Sequence, residues 1–253
     1  MRLLLQRLLL TGLVLEAACA AHDGTPGAAI SGTAEPSGAN DPAEATNRRI
    51  FGINMALDRA VTKPVATAYV DHVPDRVRQG LHNFATNLGE PKIFLNDVLQ
   101  GNATRAANTT GRFLLNSTIG VAGIFDVADG IGLPHHEADF GQTFGVWGID
   151  AGPAVQLPLL GSSNLRDSLG SVVGLVVNPL AAIPGGAVTA VTSAGAGGGM
   201  IDGRAQVLDA SNDLEKTSLD YYATLRSISL QRRAALVEDG RAGLVAPASA
   251  ALP

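Results

Sequence analysis

The chain is 253 residues long, enough to bury a substantial core without disulfide staples, and its formal charge of -5 with only 18 Lys and Arg leaves no surplus of cations for a phosphate backbone. No nucleic acid is therefore expected as a partner. Charged residues make up 16% against roughly 25% in ordinary soluble domains, aromatics only 4%, and mean hydropathy is +0.19, a composition that favours lipid over water and lacks the rings of a stacking platform.

Arg2 and Arg7 flank a leucine run, and residues 8–15 form an apolar stretch far shorter than the roughly 20 residues of a spanning helix. Residues 1–20 therefore read as a signal peptide. The one cysteine, Cys19, sits in Leu15-Glu16-Ala17-Ala18-Cys19-Ala20-Ala21, where a lipoprotein leader places the residue that becomes acylated. Glu16 stands where that motif wants an aliphatic residue, and Ala18-Cys19-Ala20 also fits an ordinary cleavage site that would discard Cys19. Lipid attachment at Cys19 is preferred because nothing else accounts for a lone cysteine at that position. Residues 21–40 are Gly, Ala, Ser, Thr and Pro with few large apolar side chains, a flexible tether.

A helical body is expected over 41–240. Asp41-Pro42-Ala43-Glu44 predicts a capped helix start, followed by Ile50, Ile53 and Leu57 at helical spacing. Pro74-Asp75 opens a second helix with Val77, Leu81, Phe84 and Leu88 on one face, ending near Gly89. Glu90-Pro91 opens a third, with Ile93, Phe94, Val98 and Leu99 before Gly101. Residues 102–116 read as a further helix and 214–237 as the most regular one. No convincing alternating strand and no internal repeat is seen, and residues 241–253 read as a disordered tail.

Two stretches carry no charge, residues 113–125 and the 34 residues 168–201. The second is interrupted by Asn178-Pro179, Pro184-Gly185-Gly186 and the glycines of 195–199, leaving pieces of the length of re-entrant, interfacial or buried segments. Two core helices joined by a glycine loop fit nearly as well; the low charge favours bilayer contact. Residues 140–161, FGQTFGVWGIDAGPAVQLPLLG, space their glycines too closely for a regular element and predict a shaped loop or hairpin.

Catalytic signals are weak. His135-His136-Glu137-Ala138-Asp139 misses H-E-x-x-H because position 140 is Phe, so no metal is expected and the segment reads as a solvated polar loop. No G-x-S-x-G elbow and no phosphate-binding loop occurs, and the glycines of 195–199 lack a following Lys. Neither a cofactor nor an internal energy source is expected. The N-x-[ST] matches at Asn102, Asn108 and Asn116 fall in expected helix and carry no weight.

An ordered series of short motifs is more specific. Asp41-Pro42 with Asn47-Arg48, Val73-Pro74 to Phe84, Asn87-Leu88 with Glu90-Pro91, and Leu99-Gln100-Gly101 come first. Arg112-Phe113 with Leu115-Asn116-Ser117-Thr118-Ile119-Gly120, Phe125-Asp126-Val127-Ala128 and Phe140-Gly141-Gln142-Thr143-Phe144-Gly145 follow. Then come Gly152-Pro153, Gln156-Leu157-Pro158, Gly161-Ser162-Ser163, Leu165-Arg166-Asp167, Arg204-Ala205-Gln206 with Leu208-Asp209, and Asp220-Tyr221. The series resembles the MlaA (VacJ) family of outer-membrane lipoproteins over about 41–240. That resemblance implies a mainly α fold, a ring of amphipathic and apolar helices in the periplasmic leaflet of the outer membrane. It also implies a passive channel through which phospholipids leave the outer leaflet, handed to a periplasmic lipid carrier, usually beside trimeric porins. No enzyme activity is implied. The sequence departs from the family in Glu16, in a longer tether and in a less aromatic segment over 184–199. A lipid hydrolase and a structural surface lipoprotein remain the alternatives. Within the channel, the glycine-rich hairpin is the expected gate, through Gly141, Gly145, Trp147, Gly152, Pro153, Gln156 and Pro158, with glycines as hinges.

Overall fold

The computed structural model describes residues 41–180 and 183–245; the expected signal peptide with Cys19, the tether and residues 246–253 lie outside the described residues. Helix α1, Glu44–Leu57, runs through a π-helical turn, Asp58–Thr62, into α2, Lys63–His72. Pro64 in the first turn of α2 has no N–H to donate to the preceding turn, and the ladder widens just before it. The expected start is corrected: Asp41 does not cap, and α1 follows Ala43 with no side-chain cap. The Asp41 carboxylate is engaged elsewhere, accepting from Asn47 Nδ2 at 2.7 Å, the Tyr222 hydroxyl at 2.5 Å and Arg226 Nη1 at 2.5 Å.

The two helices expected over 75–99 are one, α3, Asp75–Leu99, with Pro91 inside it. Pro91 removes a ladder bond, but both sides of it are tied to α4, Ala103–Thr118. Asn87 donates to Ser117, Arg112 to Glu90, and Arg105 and Thr109 to Asp97. The helix expected over 102–116 matches α4, whose cap Asn102 accepts from Arg105 N at 3.2 Å. A short turn, α5, Val127–Gly130, follows.

Residues 140–161 hold more order than expected. Phe140–Val146 form helix α6, started by Asp139, which accepts from Gln142 N at 2.8 Å. The hairpin itself lies further on, with β1, Ala154–Leu157, antiparallel to β2, Gly161–Asn164, pairing Ala154 with Asn164 and Leu157 with Gly161. Helix α7, Leu165–Val176, is capped by Asn164. Helix α8, Gly186–Gln206, passes unbroken through the glycines of 195–199, so these do not interrupt it. The single helix expected over 214–237 is two, α9, Leu208–Thr217, and α10, Tyr221–Ala242. Ser218 is extended and Asp220 caps a new start. Helix α10 also carries order two residues beyond the expected end at 240. Asx caps of the kind at 102, 126, 139, 164 and 220 are each worth about 1 kcal/mol.

Contacts between elements run in a closed circuit. Helix α1 packs on β1, β2 on α10, α10 on α6, α6 on α3, α3 on α8 and α8 on α2, which returns to α1 through the π turn. Helix α7 lies against α6 and the hairpin, and α4 against α3. The ring expected from the resemblance thus appears as a cycle of packing.

Candidate functional site

The packing is inverted relative to a soluble domain. Among the described residues, twice as many polar or charged side chains as apolar ones are buried, including Arg105, Arg112, Glu90, Asp97 and Gln142, each almost fully enclosed. The large apolar side chains face outward: Val176 is 81% exposed, Leu175 79%, Ile119 65% and Phe125 61%. Soluble surfaces carry scattered apolar residues, but a shell of this extent marks an interaction surface. No helix among the described residues is long and apolar enough to cross a membrane. The charge-free stretch 113–125 ends in a loop where Val121 and Ala122 take positive φ of 54° and 58°, a conformation that β-branched Val rarely adopts. Asn83 and Asn87 hold this loop by donating to the carbonyls of Ile124 and Ala122, and Ile119, Val121, Ile124 and Phe125 project from it.

Helices with apolar outer faces cannot be joined by the hydrophobic effect if those faces meet lipid; polar pairs can join them. Ion pairs and a histidine–carboxylate contact link elements of the circuit. Arg48 on α1 pairs with Asp220 at 2.5 Å and Arg204 on α8 with Asp58 in the π turn at 2.8 Å, while Asp202 on α8 lies 2.8 Å from His82 of α3. Arg233 on α10 grips both Asp139 and Asp167, at 2.7 and 2.8 Å. Burial opposes ionisation of Asp139, yet the Arg233 fork and the Gln142 amide hold its carboxyl below the usual range. Tyr222, desolvated and donating to Asp41, is pushed up to about 12.

A cavity of about 530 Å³ opens between residues 148–152, the start of α7 and one face of α10. Its walls mix charge (Asp150, Arg166, Arg233, Glu238, Arg241) with apolar surface (Ile149, Leu230, Ala234, Val237). Of the expected gate residues it brings in Gly152 alone, whose φ of +68° requires glycine-like freedom at the turn into β1. Pro153, Gln156 and Pro158 belong to the hairpin: Pro153 accepts from Leu165 N, buried Gln156 takes the Ser162 hydroxyl, and Pro158 accepts from Leu160 N. Trp147 ends α6, half-exposed, with Nε1 donating to Leu99 O at 2.9 Å.

Gly141 and Gly145 stand in α6, where they permit close packing. A Cβ on Gly141 would meet Asp167 Cα at 2.8 Å, and one on Gly170 would meet Gly141 N at 2.2 Å. The sequence reading missed Arg233 and Arg241. Their signal is a stripe on α10, residues 230, 233, 234, 237, 238 and 241, in which cations recur at helical spacing.

The 135–139 segment is not a solvated loop. His136 is buried with Nε2 3.0 Å from Asp97 Oδ2, and His135 lies 3.2 Å from Glu90 Oε1. Both acids also bind arginines of α4, Arg105 and Arg112, so the two histidines complete a buried polar brace between α3 and α4. The notable serines are likewise tied into the frame, Ser117 to Asn87, Ser162 to Gln156 and Ser163 to the Asn164 carbonyl. Asn108 and Asn116, from the disregarded motifs, are buried and donate to Pro134 O and Asp126.

Comparison with known proteins gives a consistent result. The family model for MlaA lipoprotein matches residues 39–236. The chain is 37% identical over 226 residues to the intermembrane phospholipid transport system lipoprotein MlaA of Escherichia coli K12, covering 85% of this chain and 84% of that one. It is 30% identical over 213 residues to the protein of the same name from Haemophilus influenzae, covering 83% and 84%. A solved structure from work on the structural basis for maintenance of bacterial outer membrane lipid asymmetry superposes with a TM-score of 0.68 at 34% identity, covering 78% of this chain and 98% of its own.

Proposed function

The chain belongs to the MlaA lipoprotein family, and from that premise we propose that it is the outer-membrane component of an intermembrane phospholipid transport system that maintains lipid asymmetry. It removes mislocalised phospholipids from the outer leaflet and passes them to a periplasmic lipid carrier. The observation that carries the reading is the inverted packing: a closed circuit of helices with large apolar side chains outside and charge within. A ring of this kind sits in the periplasmic leaflet, its apolar outer side chains against the lipid; among the described residues no helix is long and apolar enough to cross a membrane. A headgroup passing through hydrocarbon needs polar groups to replace its water. The charged cavity beside the hairpin supplies them, and the apolar shell faces the tails.

The hairpin and its flanking turn, with Gly152, Pro153, Gln156 and Pro158, form the movable part of the proposed gate. Gly141, Gly145 and Trp147 form its fixed base. Cys19 carries the lipid anchor, trimeric porins are the neighbours in the membrane, and direction comes from the carrier because the protein itself only conducts. No residue is catalytic: Ser117, Ser162 and His136 are engaged as ties within the frame, to Asn87, Gln156 and Asp97. Deleting the protein should raise phospholipid in the outer leaflet, and re-expression should restore the parental level. Release of fatty acid or lysolipid by the pure protein would favour a hydrolase, and an unchanged leaflet composition would leave a structural lipoprotein. Intact mass of membrane-extracted protein decides whether Cys19 is acylated.

A further inference from the structure

We infer that the cavity between residues 148–152, α7 and α10 is a headgroup-binding station selective for a phosphate diester carrying a primary ammonium, an ethanolamine phospholipid. The inference rests on the transport reading and names the substrate of its site. Two guanidinium groups converge on Gly145. Arg241 Nη2 donates to its carbonyl at 2.8 Å, and Arg166 Nη1 comes so close that a Cβ there would lie 2.8 Å away. The absence of a side chain at 145 thus lets both cations share one wall. Arg166 is only 8% exposed. Its Nε is satisfied by Asp167 at 2.9 Å, and Nη1 reaches the Ile149 carbonyl at 3.4 Å. Its Nη2 makes no hydrogen bond among the described residues and is open to the cavity, a charged donor available to a ligand. Arg241 meets its nearest carboxylate, Glu238, only at 3.7 Å. A phosphate oxygen pair fits this wall, because planar guanidinium forks bind phosphate in pairs.

The remaining charges decide which phosphate. Arg233, the third cation, is consumed by Asp139 and Asp167. Asp150 and Glu238 line the cavity and are exposed, Glu238 with 72% of its side chain accessible. Carboxylates beside a cationic wall disfavour a ligand that is only anionic and favour one that presents an ammonium about one headgroup away. Among the described residues no aromatic side chain lines the cavity, which offers no cage for a quaternary ammonium there, and the carboxylates suit the hydrogen-bonding primary amine. The apolar remainder of the wall receives the glycerol and the first carbons of the tails.

The test uses the full chain in detergent, titrated calorimetrically with dihexanoyl phosphatidylethanolamine, -choline and -glycerol and with inorganic phosphate. Ethanolamine lipid should bind tightest and inorganic phosphate should not saturate. Arg241→Gln should weaken all three lipids by about tenfold, and Glu238→Gln should weaken the ethanolamine lipid alone, also by up to about tenfold. Both side chains are at least half exposed or close to it, so melting should be unchanged; if Arg241→Gln melts early, Arg241→Lys, which keeps the charge and loses the fork, should give intermediate affinity. Equal affinity for ethanolamine and glycerol lipids with no effect of Glu238→Gln overturns the proposal. Inorganic phosphate that binds as well as lipid and competes with it overturns it too, leaving a plain anion site. Restoration of asymmetry by the wild-type chain is read separately. A chain that restores asymmetry without headgroup preference sinks the station and keeps transport, whereas preference without restoration sinks transport and keeps the station.

Discussion

Asp220 shows how single residues hold the ring. Its carboxylate caps α10 through Ala223 N and pairs with Arg48 on α1. The Arg48 hydrogen bonds, followed by the backbone amide, lower its pKa from the usual 3.8 to about 2. A group depressed in the folded state stabilises above its unfolded value and loses that contribution as pH falls through the folded value. Asp220→Asn keeps the cap, since Asn and Asp cap equally well, and removes the pair. The variant should melt below the parent at pH 5, and the gap in Tm should close between about pH 4 and pH 2. A gap that persists to pH 2 would place the loss in the cap. Gly141 acts through space: a valine there drives a side chain into the α7 backbone. Overpacking costs about 1–3 kcal/mol, more where the clash is with backbone, so Gly141→Val should lower Tm outright, where a hinge residue would change transport in a fold that melts normally.

At the scale of elements, α8 carries glycines with opposite roles. On Gly195 a Cβ would come within 2.5 Å of Leu88 Cδ1 on α3, whereas Gly197 and Gly198 have nothing within 4 Å. Small residues at one face let helices approach when lipid, rather than water, surrounds them. Gly197→Ala should stabilise the helix by roughly 0.5–1 kcal/mol, the usual glycine penalty, while Gly195→Leu should destabilise it by prising α8 from α3. Thermal melts in detergent read both signs; two shifts in the same direction would mean that α8 does not seat on α3 by that face. The hairpin obeys a related logic. Asn47 latches it to α1, donating to Ala154 O and accepting from Gln156 N, and Asn54 engages its tip through Leu157 O and Leu159 N, the bonds that movement of the proposed gate would have to break.

For the whole molecule the governing fact is where apolar area lies. Leu175 and Val176 end α7 almost fully exposed, an arrangement that water makes costly and lipid makes favourable. Replacing both by Arg should reduce partition into vesicles by well over tenfold, because a cation in the bilayer interior costs roughly 2.5–3.5 kcal/mol on insertion scales, with the fold in detergent preserved. Unchanged partition would move the membrane-facing surface away from this end of α7. The buried charges set a second condition. Breaking one partner of an enclosed pair such as Arg112 and Glu90 leaves an unpaired charge costing several kcal/mol, so the polar interior tolerates little substitution even though it is not an apolar core.

The sequence by itself determined the helical class, the starts of α3 and α4, the low charge and the family, because each is written in composition, in local spacing or in short ordered motifs. It expected a loop or hairpin over 140–161, of which only the later part is hairpin, reaching on to Asn164, while 140–146 are helical. It did not determine that Pro91 and the glycines of 195–199 lie inside helices, or that the 214–237 helix breaks at Ser218. Propensity favours ending a helix at Pro or Gly; contacts from α4 and α3 outweigh it, and no local window contains those contacts. His135 and His136 look like a polar loop until Asp97 and Glu90, some forty residues earlier, fold against them. Gly141 and Gly145 look like hinges until α7 and α10 lie on them. Only the tertiary structure made the cavity, since Arg166 of α7 and Arg241 of α10 meet at Gly145 solely because the chain returns there to close its ring.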